Sequence, residues 1–285
     1  MPGFFCRAFF DLESATEGRR LELTMKHVLT IAGSDCSGGA GIQADLKTFS
    51  ALGTYGMSVI TSVVAENTSR VISIHDLPPS VLADQLDAVF EDIQVDAVKL
   101  GMLSDVNIMQ TIVHKLTIYK PPFVVIDPVM TAKGGQALMK AEALNALIEH
   151  IVPLAYVLTP NIPEAETMTG LSITTLEDMK IAADRIFTMG SKYVLIKGGH
   201  LDGTAIDLLY DGNNYTTYPC ERIMTKNTHG TGCTFSSAIA ACLAKGLPIE
   251  KAVDTAKEYI TEAIRHALPI GNGHGPTNHF FSFFH

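Results

Sequence analysis

The stretch VLTIAGSDCSGGAGIQADLKTFSAL, residues 28–52, decides the fold. Residues 28–32 are a short apolar run that reads as a strand and stops at Gly33-Ser34-Asp35, and residues 41–52 read as a helix. The same order recurs outward along the chain. Strands are predicted at 55–65, rich in Val, Ile and Thr, and at 97–100, 123–126, 156–158 and 193–197. Helices are predicted at 79–93, from the spacing of Val81, Leu82, Leu86, Val89 and Phe90, and at 106–116, 141–151 and 176–189. Residues 206–209 and 215–218 flank Asp211-Gly212-Asn213-Asn214, a hairpin signature, and helices at 231–245 and 249–266 close the pattern. Short apolar strands alternating with helices imply an α/β fold: a single doubly wound, mostly parallel sheet with helices on both faces and a small hairpin. No Pro/Gly/Ser-rich linker or internal repeat divides residues 25–285, so they are expected to form one domain.

The bulk properties narrow the functions available. The 285 residues are 47% apolar, ample for a core, yet no charge-free apolar run is long enough for a bilayer. The formal charge of −9, without a basic run, argues against nucleic acid as the main partner. Five scattered cysteines without C-x-x-C pairing suit a reduced, cytoplasmic protein without structural zinc. Residues 1–24 differ in character from the rest of the chain. They mix Phe-Phe pairs with charges of both signs, lack the apolar core of a signal peptide, and precede Met25 at the first clean strand. They read as a disordered or non-native leader.

In open α/β sheets, ligands bind beyond the carboxyl ends of the strands. Those ends here carry Gly33-Ser34-Asp35, Glu66-Asn67, Gly101-Met102, Asp127-Pro128, Asn161 with Glu164, and Lys197-Gly198-Gly199. Each has an ordinary structural reading. The Gly38–Gly41 loop suits a tight turn, Asp127 the end of a strand, Asn161 a helix cap with Glu164 three residues on, and Lys197 a solvated strand end. Cys242, deep in a helix, suits the core. Their joint occurrence on one rim points to chemistry instead. Asp127 and Glu164 are hard oxygen donors suited to Mg²⁺ on a nucleotide, and Lys197 suits a phosphate. The turn Gly230-Thr231-Gly232-Cys233 opens a helix, so its N–H groups and the helix dipole suit an anion, with a thiol at the mouth. Neither a Walker A sequence nor G-x-G-x-x-G after a strand is present.

On these residues the chain from Met25 to about Phe284 resembles the hydroxymethylpyrimidine/phosphomethylpyrimidine kinases of thiamine biosynthesis, within the ribokinase-like superfamily. The resemblance rests on TIAGSDCSGGAGIQADLKTF (30–49), AENT (65–68), KLGML (99–103), DPVMTAKGG (127–135), TPNIPEA (159–165), KGGH (197–200) and TKNTHGTGCT (225–234). It implies two successive ATP-dependent phosphorylations, of the hydroxymethyl group and then of the monophosphate, with Mg²⁺, and a homodimer. It implies Cys233 as the residue that deprotonates or orients the acceptor hydroxyl, where a helix N-terminus favours thiolate; the simpler reading is that Cys233 only packs. Gly230, Thr231 and Gly232 become the anion hole, and Gly33, Asp45, Val64, Glu66, Met102 and Val129 the pyrimidine pocket. Asn161, Lys197 and Thr225 resemble nucleotide contacts, Asp127 and Glu164 the metal side, and residues 131–136 a lid carrying Lys133.

One residue departs from the family pattern. Glu66 stands where the family commonly has Gln, and an ionised carboxylate accepts hydrogen bonds but cannot donate one. Either Glu66 is protonated or the bound ring nitrogen is. The runner-up reading is a pyridoxal or pyridoxine kinase of the same branch. Ala132, where some of those enzymes have a second cysteine, and the A-x-N-T motif favour the pyrimidine. The remaining alternatives are a non-catalytic nucleotide- or vitamin-binding regulator, which intact Asp127, Glu164, Lys197 and Cys233 argue against, and a sugar kinase, which Cys233 in place of the expected Asp argues against.

Overall fold

The apolar runs become the strands β1 (His27–Asp35), β2 (Tyr55–Glu66), β3 (Val71–Asp76), β4 (Ala97–Leu100), β5 (Val124–Ile126), β6 (Val157–Leu158), β7 (Val194–Ile196), β8 (Ala205–Tyr210) and β9 (Tyr215–Cys220). The computed structural model describes residues 25–131, 139, 141–199 and 205–283. The helices are α1 (Gly41–Ala51), α2 (Pro79–Phe90), α3 (Val106–Tyr119), α4 (Ala141–Ala146), α5 (Ile162–Thr169), α6 (Leu176–Phe187), α7 (Thr231–Ala244) and α8 (Ile249–Arg265). One sheet runs in the order β3-β2-β1-β4-β5-β6-β7-β8-β9. Parallel pairing holds from β2 through β7, and the antiparallel pairs β2/β3, β7/β8 and β8/β9 form its two ends.

The period-2 geometry of a strand sends alternate side chains to opposite faces. Leu29, Val98, Ile126 and Leu158 enter one core with α2 to α6, while Val28, Ala97, Val125 and Val157 enter the other with α1, α7 and α8. Each fully buried aliphatic side chain contributes about 1.5–3 kcal/mol. In α7 every residue from Thr234 to Ala244 is buried, and its alanines let it lie close against the sheet and its neighbours. α8 instead shows one apolar face, with Ala252, Val253, Ala256, Ile260 and Ala263 buried.

The chain passes from β1 to β2 on one side and returns to β4 on the other, so the strand order reverses between β1 and β4. That reversal opens a crevice beyond the carboxyl ends of these strands.

The doubly wound sheet and its hairpin agree with the sequence expectation, and two elements go beyond it. β3 has exposed and half-buried residues without a consistent apolar face, and it pairs only with the last five residues of β2, Ser62 to Glu66. α5 follows the Asn161 cap directly, although Pro163 reads as a break; near a helix start Pro is tolerated because its missing N–H has no intrahelical partner. The helix expected over 141–151 is α only to Ala146 and continues as a π-type turn over Leu147–Ile151. The leader, Lys133 and most of the lid lie outside the described residues.

Candidate active site

β1 ends at Asp35, and this carboxylate folds the glycine-rich loop behind it. It accepts the N–H groups of Ser37 at 2.7 Å, Gly39 at 2.9 Å and Ala40 at 2.7 Å, and lies 2.9 Å from Nε2 of His229. Burial pushes its pKa up, but the hydrogen bonds from His229, Ser37 and Ala40 outweigh burial and hold it at about 2. The loop is thereby drawn against the start of α7. A Cβ on Gly230, which has φ 76°, would lie 1.8 Å from the Gly39 carbonyl oxygen, so only glycine fits there. The sequence places Asp35 on the rim but gives neither it nor His229 a role; the Asp-x-Ser-Gly run, an Asx-turn pattern, is the available signal.

Gly230 is the N-cap of α7 and no side chain caps this helix, so its first turn suits an anion. Thr231, Gly232 and Cys233 line a cavity of about 960 Å³. The expected thiolate is corrected. Burial drives the Cys233 thiol up to about 11, Asp45 and Asp127 add to the rise, and Lys99 with the Gly41 N–H opposes it without winning. The resting group at neutral pH is a thiol.

Asp127, beyond β5, accepts from Lys197 Nζ at 2.5 Å and from Thr159 Oγ1 at 3.3 Å. Gly232 lies beside this pair, since a Cβ there would stand 3.2 Å from Asp127 Oδ2 and 3.5 Å from Lys197 Nζ. Burial opposes the Lys197 charge, but Asp127 and Glu164 outweigh it and raise the pKa. Asn161 and Glu164 form a reciprocal capping box on α5, with Asn161 Oδ1 accepting from Glu164 N at 2.9 Å and Glu164 Oε2 from Asn161 N at 2.8 Å. The ordinary structural reading of Asn161 is thus met, while both residues also line the cavity. Burial raises Glu164 to about 7; Lys197 opposes this and Asp127 adds to it.

Gly33, Val64, Glu66, Met102, Val129 and Thr225 line the same cavity. Asp45 is the exception among the pocket residues expected from sequence. It is fully buried and does not line the cavity; Thr30 Oγ1 at 2.6 Å, Ser237 Oγ at 2.7 Å and Lys99 Nζ at 2.9 Å and 3.0 Å occupy it. Lys99, not Asp45, reaches the wall. Burial raises Glu66 to about 7; Asp35 adds to the rise and His229 opposes it. Ligating atoms of Asp35, Glu66 and His229 lie within 4.8 Å of one another, but the Asp35 oxygens are already taken by backbone N–H groups.

Residues 35–278 match the phosphomethylpyrimidine kinase family. The chain is 54% identical, over 93% of its length, to the thiamine biosynthesis bifunctional protein ThiED of Geobacter sulfurreducens, and spans 54% of that protein. It is 48% identical to a hydroxymethylpyrimidine/phosphomethylpyrimidine kinase of Bacillus subtilis, covering 90% of this chain and 96% of that one. Its fold is similar to an ADP complex of Bacillus subtilis pyridoxal kinase, with a TM-score of 0.86, 42% identity, and 92% and 100% of the two chains covered.

Proposed function

From the premise that this chain belongs to the phosphomethylpyrimidine kinase family, we propose that it moves the γ-phosphoryl group of ATP to the hydroxymethyl oxygen of an aminopyrimidine, and then a second phosphoryl group to the resulting monophosphate. The observation that carries this reading is one cavity lined together by an uncapped helix N-terminus with Cys233, the Lys197–Asp127 pair and Glu66.

In each turnover the acceptor oxygen–phosphorus bond forms as the bond from the γ-phosphorus to its bridging oxygen breaks, and ADP leaves with that electron pair. Gly230, Thr231 and Gly232 hold the charge on the moving group with fixed dipoles, as such a loose transition state requires. Cys233, a neutral thiol at rest, orients the acceptor hydroxyl, whose proton passes to a phosphoryl oxygen as the new bond forms. Glu66, titrating near 7, donates from its protonated form to a ring nitrogen and accepts from the adjacent amino group.

Asp127 and Glu164 fit a hard divalent cation, because both line the cavity with oxygen donors and burial, with Asp127 adding to it and Lys197 opposing it, leaves the Glu164 charge undercompensated. Bound there, Mg²⁺ would supply charge against the β- and γ-phosphate oxygens. Lys197 is then free to meet a phosphate, with Asn161 and Thr225 on the nucleotide side and Lys133 in the lid above. Cytoplasmic location and a homodimer belong to the same proposal. The four cysteines among the described residues are free, and no helix there is long and apolar enough to cross a membrane.

The fold likeness to a pyridoxal kinase supports a second reading, phosphorylation of pyridoxine or pyridoxal. An ATP-consumption assay with hydroxymethylpyrimidine, its monophosphate and pyridoxine side by side, with products identified by mass, decides between them. Turnover of both pyrimidines is expected; turnover of pyridoxine alone would replace the first reading with the second.

A further inference from the structure

Lys99 has a place in the structure that its role in the core does not explain. It lies on β4 with no exposed surface, and its ammonium forks onto both oxygens of Asp45 at 2.9 Å and 3.0 Å. A sealed lysine–aspartate pair is a poor device for stability alone, since apolar residues of similar size do as well or better. The pair is also oriented. Asp45 faces inward, to Thr30 Oγ1 at 2.6 Å and Ser237 Oγ at 2.7 Å, whereas Lys99 contributes to the cavity wall beside Cys233. Gly101 gives the ammonium its room, for a Cβ there would come within 2.8 Å of Nζ. Ser237 lies four residues after Cys233 on α7, so the helix face that binds Asp45 carries the thiol one turn nearer the helix start.

We propose that Lys99 is a positioning residue for phosphoryl transfer that acts through Cys233. Its ammonium, pinned by Asp45, sets a fixed positive charge beneath the first turn of α7 and favours anionic character at the thiol and at the acceptor oxygen held against it. This rests on the reading of Cys233 as the acceptor-side residue. The charges facing that thiol are Lys99 from β4, Asp45 from α1, Asp127 beyond β5 and Lys197 beyond β7. Among the groups acting on the thiol, Lys99 is the leading one that opposes the effect of burial.

Lys99→Met alone strands the Asp45 carboxylate and can fail to fold, so the deciding variant is Lys99→Met/Asp45→Asn, which removes both charges and keeps an acceptor for Thr30 and Ser237. The readouts are the second-order rate of alkylation of Cys233 by iodoacetamide at pH 8.5, resolved by peptide mass with Cys36 as internal control, and kcat against pH. In the folded double variant the Cys233 rate should fall by about threefold for each unit the thiol pKa rises, with Cys36 unchanged. In the same variant kcat should fall by about tenfold with the KM for ATP unaltered. A folded double variant that alkylates at the wild-type rate overturns the proposal, and so does slowed alkylation with unchanged kcat. Failure of the underlying reading looks different: Cys233→Ser would then keep near-full turnover, whatever the alkylation rates of the Lys99 variants.

Discussion

Two lysine–aspartate pairs flank the start of α7, and they are built for opposite purposes. In Lys99–Asp45 both side chains are 0% exposed, and Asp45 takes two hydroxyl donors besides the ammonium. In Lys197–Asp127 the lysine side chain is 14% exposed, one carboxylate oxygen is engaged at 2.5 Å, and both residues stand on the cavity wall. A sealed pair cannot exchange partners, so it acts as a fixed dipole. An open pair can trade each partner for a ligand, the lysine for a phosphate oxygen and the aspartate for a cation. The contrast separates a charge that sets the field of the site from charges that handle substrate.

Stability gives the strongest test of that contrast. Lys99→Met should cost about 3–5 kcal/mol, because a carboxylate stays buried without its cation. Lys197→Met should cost only about 1–3 kcal/mol, since Asp127 lines the cavity and keeps the Thr159 hydroxyl as a donor. Urea unfolding of the two variants under one set of conditions measures both, and equal losses would break the comparison. Activity should divide the pairs again. For Lys197→Met we expect kcat to fall about 10²–10³-fold, equivalent to about 2.7–4 kcal/mol of transition-state stabilisation. A steady-state assay at saturating ATP that found kcat within a fewfold of wild type would remove Lys197 from the transfer chemistry.

Much of this arrangement is legible in the sequence, and the remainder fails for identifiable reasons. The strand–turn–helix order, the hairpin and the rim residues follow from local patterns: apolar runs of strand length, glycine at the turns, and polar residues where strands end. β3 escapes because an edge strand with no buried face lacks the alternation that marks a strand. The thiol state of Cys233 escapes because dipole arguments are local, whereas burial and the Asp45 and Asp127 charges come from elements far apart in the chain. Asp45 is misplaced on the pocket wall for a similar reason. Its partners Thr30, Lys99 and Ser237 come from three separate segments, and only the fold reveals that Lys99 stands in front of it. Asp35 and His229 are 194 residues apart, so their contact has no sequence signature.

Smaller effects sharpen the difference on the open side. Asn161→Ala removes a cap from α5 and should cost about 1 kcal/mol in a urea titration. It takes the acceptor from the Glu164 backbone N–H, while the Asn161 N–H still donates to Glu164 Oε2 and the Lys99 pair stays undisturbed. If Asn161 serves only the helix, the KM for ATP stays at the wild-type value; a severalfold rise assigns it to the nucleotide as well.

Glu66 completes the comparison, as a carboxyl group facing the same cavity without a lysine partner among the described residues. Its pKa rises from 4.5 to about 7, so between these values the folded chain keeps a proton that the unfolded chain has released. Proton linkage then requires stability to fall as pH increases through that window and to level off above it. Solvent screening at a half-buried site reduces the effect to about 1 kcal/mol. Glu66→Gln removes the titration, so its advantage over wild type should be absent near pH 4.5 and greatest at pH 8, as read from Tm at each pH. The same ionisation should lower kcat/KM for the pyrimidine above pH 7 in the wild type, because a carboxylate no longer donates to the ring nitrogen. The Gln variant should be flat there. A wild-type profile equally flat would mean that the ring, not Glu66, brings the proton to this contact.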